Sequence, residues 1–496
     1  MLEFFNKYLM PNIFKIRNFR LMIFYSLFIN LLLLVGCTKS GNDGTPTPPN
    51  TIPLKNDIDV WLTTGDQTSK LQKQTSKLSF TQSLNNYPTI SVDTTISFQK
   101  IDGFGFTLTG GSALLLNKMS SSSRESILND LFGCNGEQAC ISYLRLSVGA
   151  SDLDDRVFSY NDIPNGQEDM DLSSFSLSRD TIHLVPIIKE ILKIQPNIKF
   201  MASPWSPPVW MKSNNSSVGG SLLPKYYDVY ADYFVKYINS MKAQGILIDA
   251  ITIQNEPQHG GNNPSLLMSA AEQAIFIKKH LGPKFKAAGL NTKIIIWDHN
   301  CDRPDYPISI LNDAEAKSFI DGSAFHLYAG DISALSQVRA AHPTKNLYFT
   351  EQWTGANGSF DGDLQWHVKN VVIGSMQHWS KVALEWNLAS DPAFDPHTPG
   401  GCTQCKGALT IDGNVATKNV GYYIIAHASR FVPAGSSRIE SNTIANIHQV
   451  TFLTPNGKKV MVALNETNKT EIFNIQHNGK KALASLQAHS VATFVW

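Results

Sequence analysis

Eight short apolar runs, separated by helical stretches, constrain the fold of this chain more than any other feature. They are Gly103–Phe106, Ile141–Leu146, Ile198–Ala202, Ala250–Gln254, Lys293–Trp297, Ser323–Leu327, Asn346–Thr350 and Val382–Trp386. Each is too short for a stable helix and too continuously apolar for a strand with one wet face. Such runs suit strands covered on both faces. Between them lie amphipathic segments such as 226–241, with apolar residues at helical spacing. Alternation of this kind across residues 99–429 predicts an α/β fold, a (β/α)8 TIM barrel. A doubly wound sheet also alternates, but Gly103-Phe-Gly105 lacks the third glycine and the helix placement of a dinucleotide-binding turn.

The flanks read differently. Residues 56–98 contain the short alternating runs Ile58–Leu62, Leu78–Phe80, Thr89–Val92 and Thr95–Phe98. Residues 430–496 contain Gln449–Leu453, Lys459–Leu464 and Ser490–Trp496. Two β-rich ends around a different middle predict a side β-sandwich assembled from both termini. Residues 1–37 are set aside as an export signal. Lys15, Arg17 and Arg20 precede an apolar stretch ending in Leu34-Val-Gly-Cys37, which resembles a bacterial lipobox. On that resemblance Cys37 is lipidated and residues 38–55, rich in Gly, Pro and Thr, form a tether. The expected location is the bacterial cell envelope, as an exported lipoprotein whose membrane contact runs through Cys37 only.

Cysteine usage agrees with export. Cys134 and Cys140 flank a glycine-containing loop and are expected to pair in an oxidising compartment. Cys402-Thr-Gln-Cys405 follows Thr398-Pro-Gly-Gly401, and no second C-x-x-C or H-x-x-x-H accompanies it. A loop-stiffening disulfide is therefore expected, with no metal and no cofactor.

Charge narrows the partners. Lys and Arg number 42 against 41 Asp and Glu, which removes the basic excess that nucleic-acid binding needs. Barrel chemistry sits where the strands end. There the runs deliver Arg145, Pro204-Trp205, Asn255-Glu256, Asp298, His326, Tyr328, Glu351-Gln-Trp353 and Trp386-Asn387. Carboxylates and aromatics dominate and lysine is missing, the composition of a sugar-binding mouth. Glu256 follows the fourth run and Glu351 the seventh, on opposite sides of a barrel. Glycosidic cleavage needs one carboxyl group to protonate the leaving oxygen and another to meet the oxocarbenium-like carbon. Singly, each glutamate is more commonly a helix cap or a surface ion pair; together at such a mouth they point to glycoside hydrolysis.

Asn255-Glu256-Pro257 and the Glu ending the seventh run resemble the clan A glycoside hydrolases, and more specifically glycoside hydrolase family 30. The resemblance rests on Ile101-Asp-Gly-Phe-Gly105, Leu144-Arg145, Ala202-Ser-Pro-Trp-Ser-Pro-Pro-Val-Trp-Met-Lys212, Gln254–Pro257, Phe325–Tyr328, Thr350-Glu351 and Glu385–Leu388. It implies a retaining double displacement with Glu351 as nucleophile and Glu256 as acid/base. It further implies that Asn255 binds the sugar 2-OH and Arg145 keeps the nucleophile ionised. Trp205 and Trp386 would wall the subsite, with Asp298, His326 and Tyr328 at its edge. The implied activity is glucosylceramidase-like, on a β-glucoside partner such as a glucosylceramide-like glycolipid, with β-1,6-glucan as the alternative.

Two positions depart from the glucosylceramidase pattern. Gly110 follows Thr109 where those relatives carry an Asp, and Leu327 stands where they carry a Trp. Both changes touch substrate contacts and leave the glutamates alone. Two other readings are open: a non-catalytic surface glycan-binding lipoprotein, and a metal-dependent hydrolase using Asp152, Asp154 and Asp155 or the histidines. Retention of Arg145, Asn255 and both glutamates opposes the first, and the three aspartates read more simply as turn formers.

Overall fold

In a computed structural model, which describes residues 57–496, the eight runs close into one parallel barrel. The strands are β1 (Gly103–Thr107), β2 (Tyr143–Ser147), β3 (Lys199–Ser203), β4 (Ala250–Thr252), β5 (Lys293–Cys301), β6 (Ile320–Gly330), β7 (Asn346–Glu351) and β8 (Ser380–Asn387). Each pairs with the next, and β8 closes the ring against β1. Gly105 permits the close pairing of β1 with β2: a Cβ there would lie 1.8 Å from the Tyr143 carbonyl oxygen. Covering helices present apolar stripes to the barrel. Leu184–Ile194, for example, buries Leu184, Val185, Ile187, Ile188 and Ile191. Because all eight strands run the same way, their carboxyl ends open on one face.

Inside the barrel one apolar layer holds Tyr143, Met201, Ala250, Ile295, Ala324, Tyr348, Val382 and Leu384. β5 and β6 extend three or more residues beyond their apolar runs. β5 continues past Trp297 through a break in register, where Trp297 and Asp298 both take positive φ, 71° and 64°. Two consecutive left-handed residues without glycine mark local strain, and the kink lies at the mouth.

The side domain is a nine-stranded array drawn from both ends of the described chain. Asp59–Thr64 pairs antiparallel with Ser490–Val495, and Thr89–Lys100 pairs with both Ser437–Ser441 and Glu471–His477. It encloses its own core, including Ile58, Ile90, Met461, Phe473 and Phe494. Helix Val420–Ser429 ties barrel to sandwich through buried His427, whose two ring nitrogens meet the hydroxyls of Thr63 and Thr493 at 2.8 and 2.9 Å.

Three details differ from the sequence reading. Leu78–Phe80 forms no strand and contributes only an isolated bridge to Ile58. Thr89–Val92 and Thr95–Phe98 are one strand, bent where the Asp93 carboxylate accepts the Thr95 backbone N–H at 2.8 Å. Ser437–Ser441, Glu471–His477 and Lys480–Leu486 are additional strands, hidden in the sequence because polar residues facing water interrupt them. Disulfides join Cys134 to Cys140 and Cys402 to Cys405, while Cys301 is free and buried. The export signal, Cys37 and the tether lie outside the described residues. Among the described residues no helix is long and apolar enough to cross a membrane.

Candidate active site

Two residues beyond the apolar layer, the same inward-facing rows turn polar. Tyr143 is followed by Arg145, Met201 by Ser203, Ala250 by Thr252, Ala324 by His326 and Tyr348 by Thr350. Strand alternation puts each pair on one face. Arg145 is fully buried and spends its donors on four partners: Glu351 Oε2 at 2.5 Å, Asn255 Oδ1 at 2.6 Å, Asp298 Oδ2 at 2.9 Å and Ser203 Oγ at 3.1 Å. A buried guanidinium is tolerable only with such saturation.

Asp298, delivered inward by the kink in β5, is the hub. It accepts the hydroxyls of Ser203, Thr252 and Thr350 at 3.0, 2.7 and 2.6 Å, besides Arg145. Burial works to raise its carboxyl; the charge of Arg145 and the bond from His326 overcome this and hold it well below the usual carboxylate range. His326 spans the floor, with Nε2 3.1 Å from Asp298 Oδ1 and Nδ1 3.2 Å from Glu256 Oε1. Burial alone would lower its pKa, but the surrounding carboxylates of Glu351, Asp298 and Glu256 push it up to about 9. At neutral pH His326 is therefore an imidazolium that donates from both nitrogens.

Above this floor stand the two glutamates. Glu256 leaves β4 in the left-handed region, φ 48°, with its N–H held by the Asp298 carbonyl at 3.0 Å. Glu351 ends β7, and the Tyr328 hydroxyl donates to its Oε1 at 2.9 Å. One oxygen of Glu256, one of Glu351 and one nitrogen of His326 all lie within 4.8 Å of one another. Burial pushes the Glu351 carboxyl up against the pull of His326 and Arg145. For Glu256 burial acts the same way, but the hydrogen bond and charge of His326 outweigh it and bring the carboxyl down. So close a pair titrates as a unit, and each proton change on one member is felt by the other.

The glutamates open into a cavity of about 300 Å³. Trp205 and Trp386 form one wall, stacked with centroids 5.2 Å apart, and the Arg145 guanidinium lies beneath them at 4.8 and 5.7 Å from their rings. Tyr328 lines the opposite side. Asp298 and His326, expected at the subsite edge, are fully buried beneath the cavity and reach the glutamates from below, and Arg145 lies there too, bonded to Glu351 as expected. Asn255 presents its carbonyl oxygen to Arg145, which turns its amide N–H group the other way. Asn387 faces outward, accepting the hydroxyls of Thr109 and Ser112.

The cavity also contains Trp353, read at the end of the seventh run, and residues that the sequence reading does not single out, among them His259, His299 and Asn300. The run-end rule stops at Asp298, and His299 follows it because β5 continues. Burial pushes His299 down to about 4, leaving it neutral beside Glu256. Asp152, read as a turn former, lines the cavity too; burial and the charges of Glu351 and Glu256 push it up to about 7. No local signal marks it, because its neighbour across the mouth, Cys402, comes from a loop 250 residues away.

Comparison with known proteins bears on what this mouth does. Residues 101–432 match the model of the glycosyl hydrolase family 30 TIM-barrel domain, and residues 435–494 that of the family 30 beta sandwich domain. The chain is 33% identical over 436 residues to endo-1,6-beta-D-glucanase neg1 of Aspergillus fumigatus, covering 82% of this chain and 87% of the relative. It is 28% identical over 426 residues to the lysosomal acid glucosylceramidase of Mus musculus, covering 80% and 81%. The solved structure of the endo-beta1,6-glucanase BT3312 superposes with a TM-score of 0.83 at 34% identity, covering 89% of this chain and 99% of that one.

Proposed function

Since the chain belongs to glycosyl hydrolase family 30 and is a glycosidase, we propose that it cleaves β-1,6-linked glucan with retention. In this reading Glu351 is the nucleophile and Glu256 the acid/base. The observation that supports the mechanism is the proximity of the glutamates across the mouth, an oxygen of one lying within 4.8 Å of an oxygen of the other. Retaining enzymes hold their carboxyl groups about 5–5.5 Å apart, whereas inverting ones need about 6.5–9.5 Å to admit a water.

The hydrogen bonds support the division of labour. Glu351 receives Arg145 on one oxygen and Tyr328 on the other, which orients it toward the anomeric carbon. In the first step a Glu351 oxygen bonds to that carbon as the glycosidic C–O bond breaks, and the departing oxygen takes the one proton that the two glutamates share, which bound substrate must hold on Glu256 against the pull of His326. The glycosyl ester that results carries no charge on Glu351. Loss of that neighbouring anion makes Glu256 a carboxylate ready to take a proton from water in the second step. Water attacks the anomeric carbon, the ester bond breaks, and Glu351 returns as a carboxylate. The amide N–H group of Asn255, free of Arg145, is the donor for the sugar 2-OH.

For the substrate, the identity to endo-1,6-β-glucanases favours glucan, and Gly110 and Leu327, both away from the glucosylceramidase pattern, point the same way. A glucosylceramide-like glycolipid is the second reading, supported by the similarity to the mouse glucosylceramidase. Lipidation of Cys37 would anchor the enzyme in the cell envelope. Labelling with a fatty acid that disappears in Cys37→Ser tests this, and unchanged labelling overturns it.

A rate panel on β-1,6-glucan, glucosylceramide and an aryl β-glucoside separates the substrates. Activity on the lipid with none on the polymer would reverse the order of the two readings. Roles are tested with an activated aryl β-glucoside, whose leaving group needs no protonation. Glu256→Gln should still release the aryl group in a first-turnover burst, while Glu351→Gln should lose release altogether. An unchanged rate in Glu351→Gln would leave only a glycan-binding role.

A further inference from the structure

The turn after β2 sends two aspartates in opposite directions. Asp154 points into the protein, where its Oδ2 accepts the N–H and the hydroxyl of Ser151 at 2.7 and 2.9 Å. Its other oxygen occupies the space over Gly110, 1.6 Å from where a Cβ on that residue would sit. No side chain at position 110 fits without expelling Asp154. The missing side chain at Gly110 and the pinned turn are thus one feature, and that turn carries Asp152 to the cavity.

Asp152 is almost wholly buried, yet it lines the mouth together with Glu256, Glu351, Trp205 and Trp386. Its Oδ2 accepts the backbone N–H of Cys402 at 3.3 Å. The disulfide loop holds the rest of the residue as well. The Thr398 N–H donates to the Asp152 carbonyl at 2.9 Å, and Gly401 packs against the same oxygen, so closely that a Cβ there would lie 2.4 Å from it. Cys402 and Cys405, bonded to each other, continue the cavity wall.

A carboxyl group buried at the mouth is stabilised by a hydroxyl partner. No lysine or arginine lines this cavity, and the nearby Glu256 and Glu351 repel further negative charge. The donor that suits the site is neutral and arrives with the substrate. We propose that Asp152 binds a sugar hydroxyl at the cleavage site, and that the Cys402–Cys405 loop is the clamp that positions it. The proposal rests on the cavity being the glycosidase mouth, and not on which β-glucoside fills it.

The test uses the full-length enzyme and whichever of an aryl β-glucoside and β-1,6-glucan it cleaves faster. Asp152→Asn, nearly isosteric, and Asp152→Ala should lower kcat/KM on the order of 10- to 100-fold, the worth of a hydrogen bond to a charged group. The loss should fall mainly on KM, with an unchanged melting temperature for Asp152→Asn. Values within twofold of the parent for a folded Asp152→Asn overturn the binding role. Cys402→Ser/Cys405→Ser should raise KM less than Asp152→Ala, and adding it to Asp152→Ala should cost nothing more. Additive losses overturn the clamp. If that double variant does not fold, mild reduction of a Cys134→Ser/Cys140→Ser background replaces it, with the same two outcomes. Cleavage of the aryl glucoside without the polymer would refute the glucan reading and leave the Asp152 test intact.

Discussion

Two layers of side chains fill the same barrel one above the other, and they are built on opposite principles. The lower layer is hydrocarbon: Met201, Ala250, Ile295, Ala324, Val382 and Leu384, with the rings of Tyr143 and Tyr348. The upper layer, two residues further along the strands, is Arg145, Ser203, Thr252, Asp298, His326 and Thr350, every one of them buried. Apolar burial stabilises directly, by roughly 25 cal/mol for each Å² removed from water. Buried charges at best offset their own desolvation, and only while every partner remains in place. The lower layer therefore holds the barrel closed, while the upper one spends stability to fix the protonation and aim of two glutamates. The contrast teaches that the two layers should fail differently.

The largest effect is expected from Arg145→Leu. It leaves Asp298 and Glu351 without their shared guanidinium, which should cost about 3–5 kcal/mol in denaturant unfolding. Activity should fall with it, by on the order of 10²–10³-fold or more, because the nucleophile loses its charged donor. Ile295→Ala in the lower layer should cost about 2–5 kcal/mol through the cavity it leaves. Its folded fraction should retain kcat/KM within about threefold, since no glutamate partner is touched. A loss of turnover in Ile295→Ala as deep as in Arg145→Leu would erase the distinction between the layers. A smaller change, Thr350→Val, removes one donor from Asp298 and should cost about 1.5–3 kcal/mol.

The same contrast explains what could be read without coordinates. The lower layer and the barrel were legible because both faces of each strand are covered, so the apolar runs are continuous in sequence. The glutamates, Trp205 and Trp386 were legible because they stand where runs stop. What the run-end rule obscured was depth: Asp298 and His326 occupy strand ends, yet the β5 kink and β6 direction bury them under the cavity. Asp152 was illegible as a cavity residue for another reason. It reaches the mouth through a loop held by another loop, and apposition across 250 residues leaves no periodic trace. The strands of the side domain fell between these cases, with one face wet and their alternation broken by polar residues.

The sharpest small effect compares Asp298 with a buried carboxyl that has no cation beside it. Asp180 lies outside both layers, accepting the Tyr160 hydroxyl at 2.6 Å, and burial pushes it up to about 7. Between its unfolded value near 3.8 and about 7, folded Asp180 keeps a proton that the unfolded chain has released. That contribution to stability is complete below the unfolded value and is lost as pH rises through about 7. Wild-type stability measured against Asp180→Asn should therefore decline from pH 4 to 7, by up to about 1.4 kcal/mol per pH unit, and level off above. Asp298 has the opposite sign, since Arg145 and His326 hold it ionised in the fold far below its unfolded value. Its contribution is present above the unfolded value and is lost only in strong acid, so the difference between wild type and Asp298→Asn should stay flat across the same window. Parallel slopes for the two variants would mean that Arg145 and His326 do not govern the charge of Asp298, and the account of the upper layer would fail at its hub.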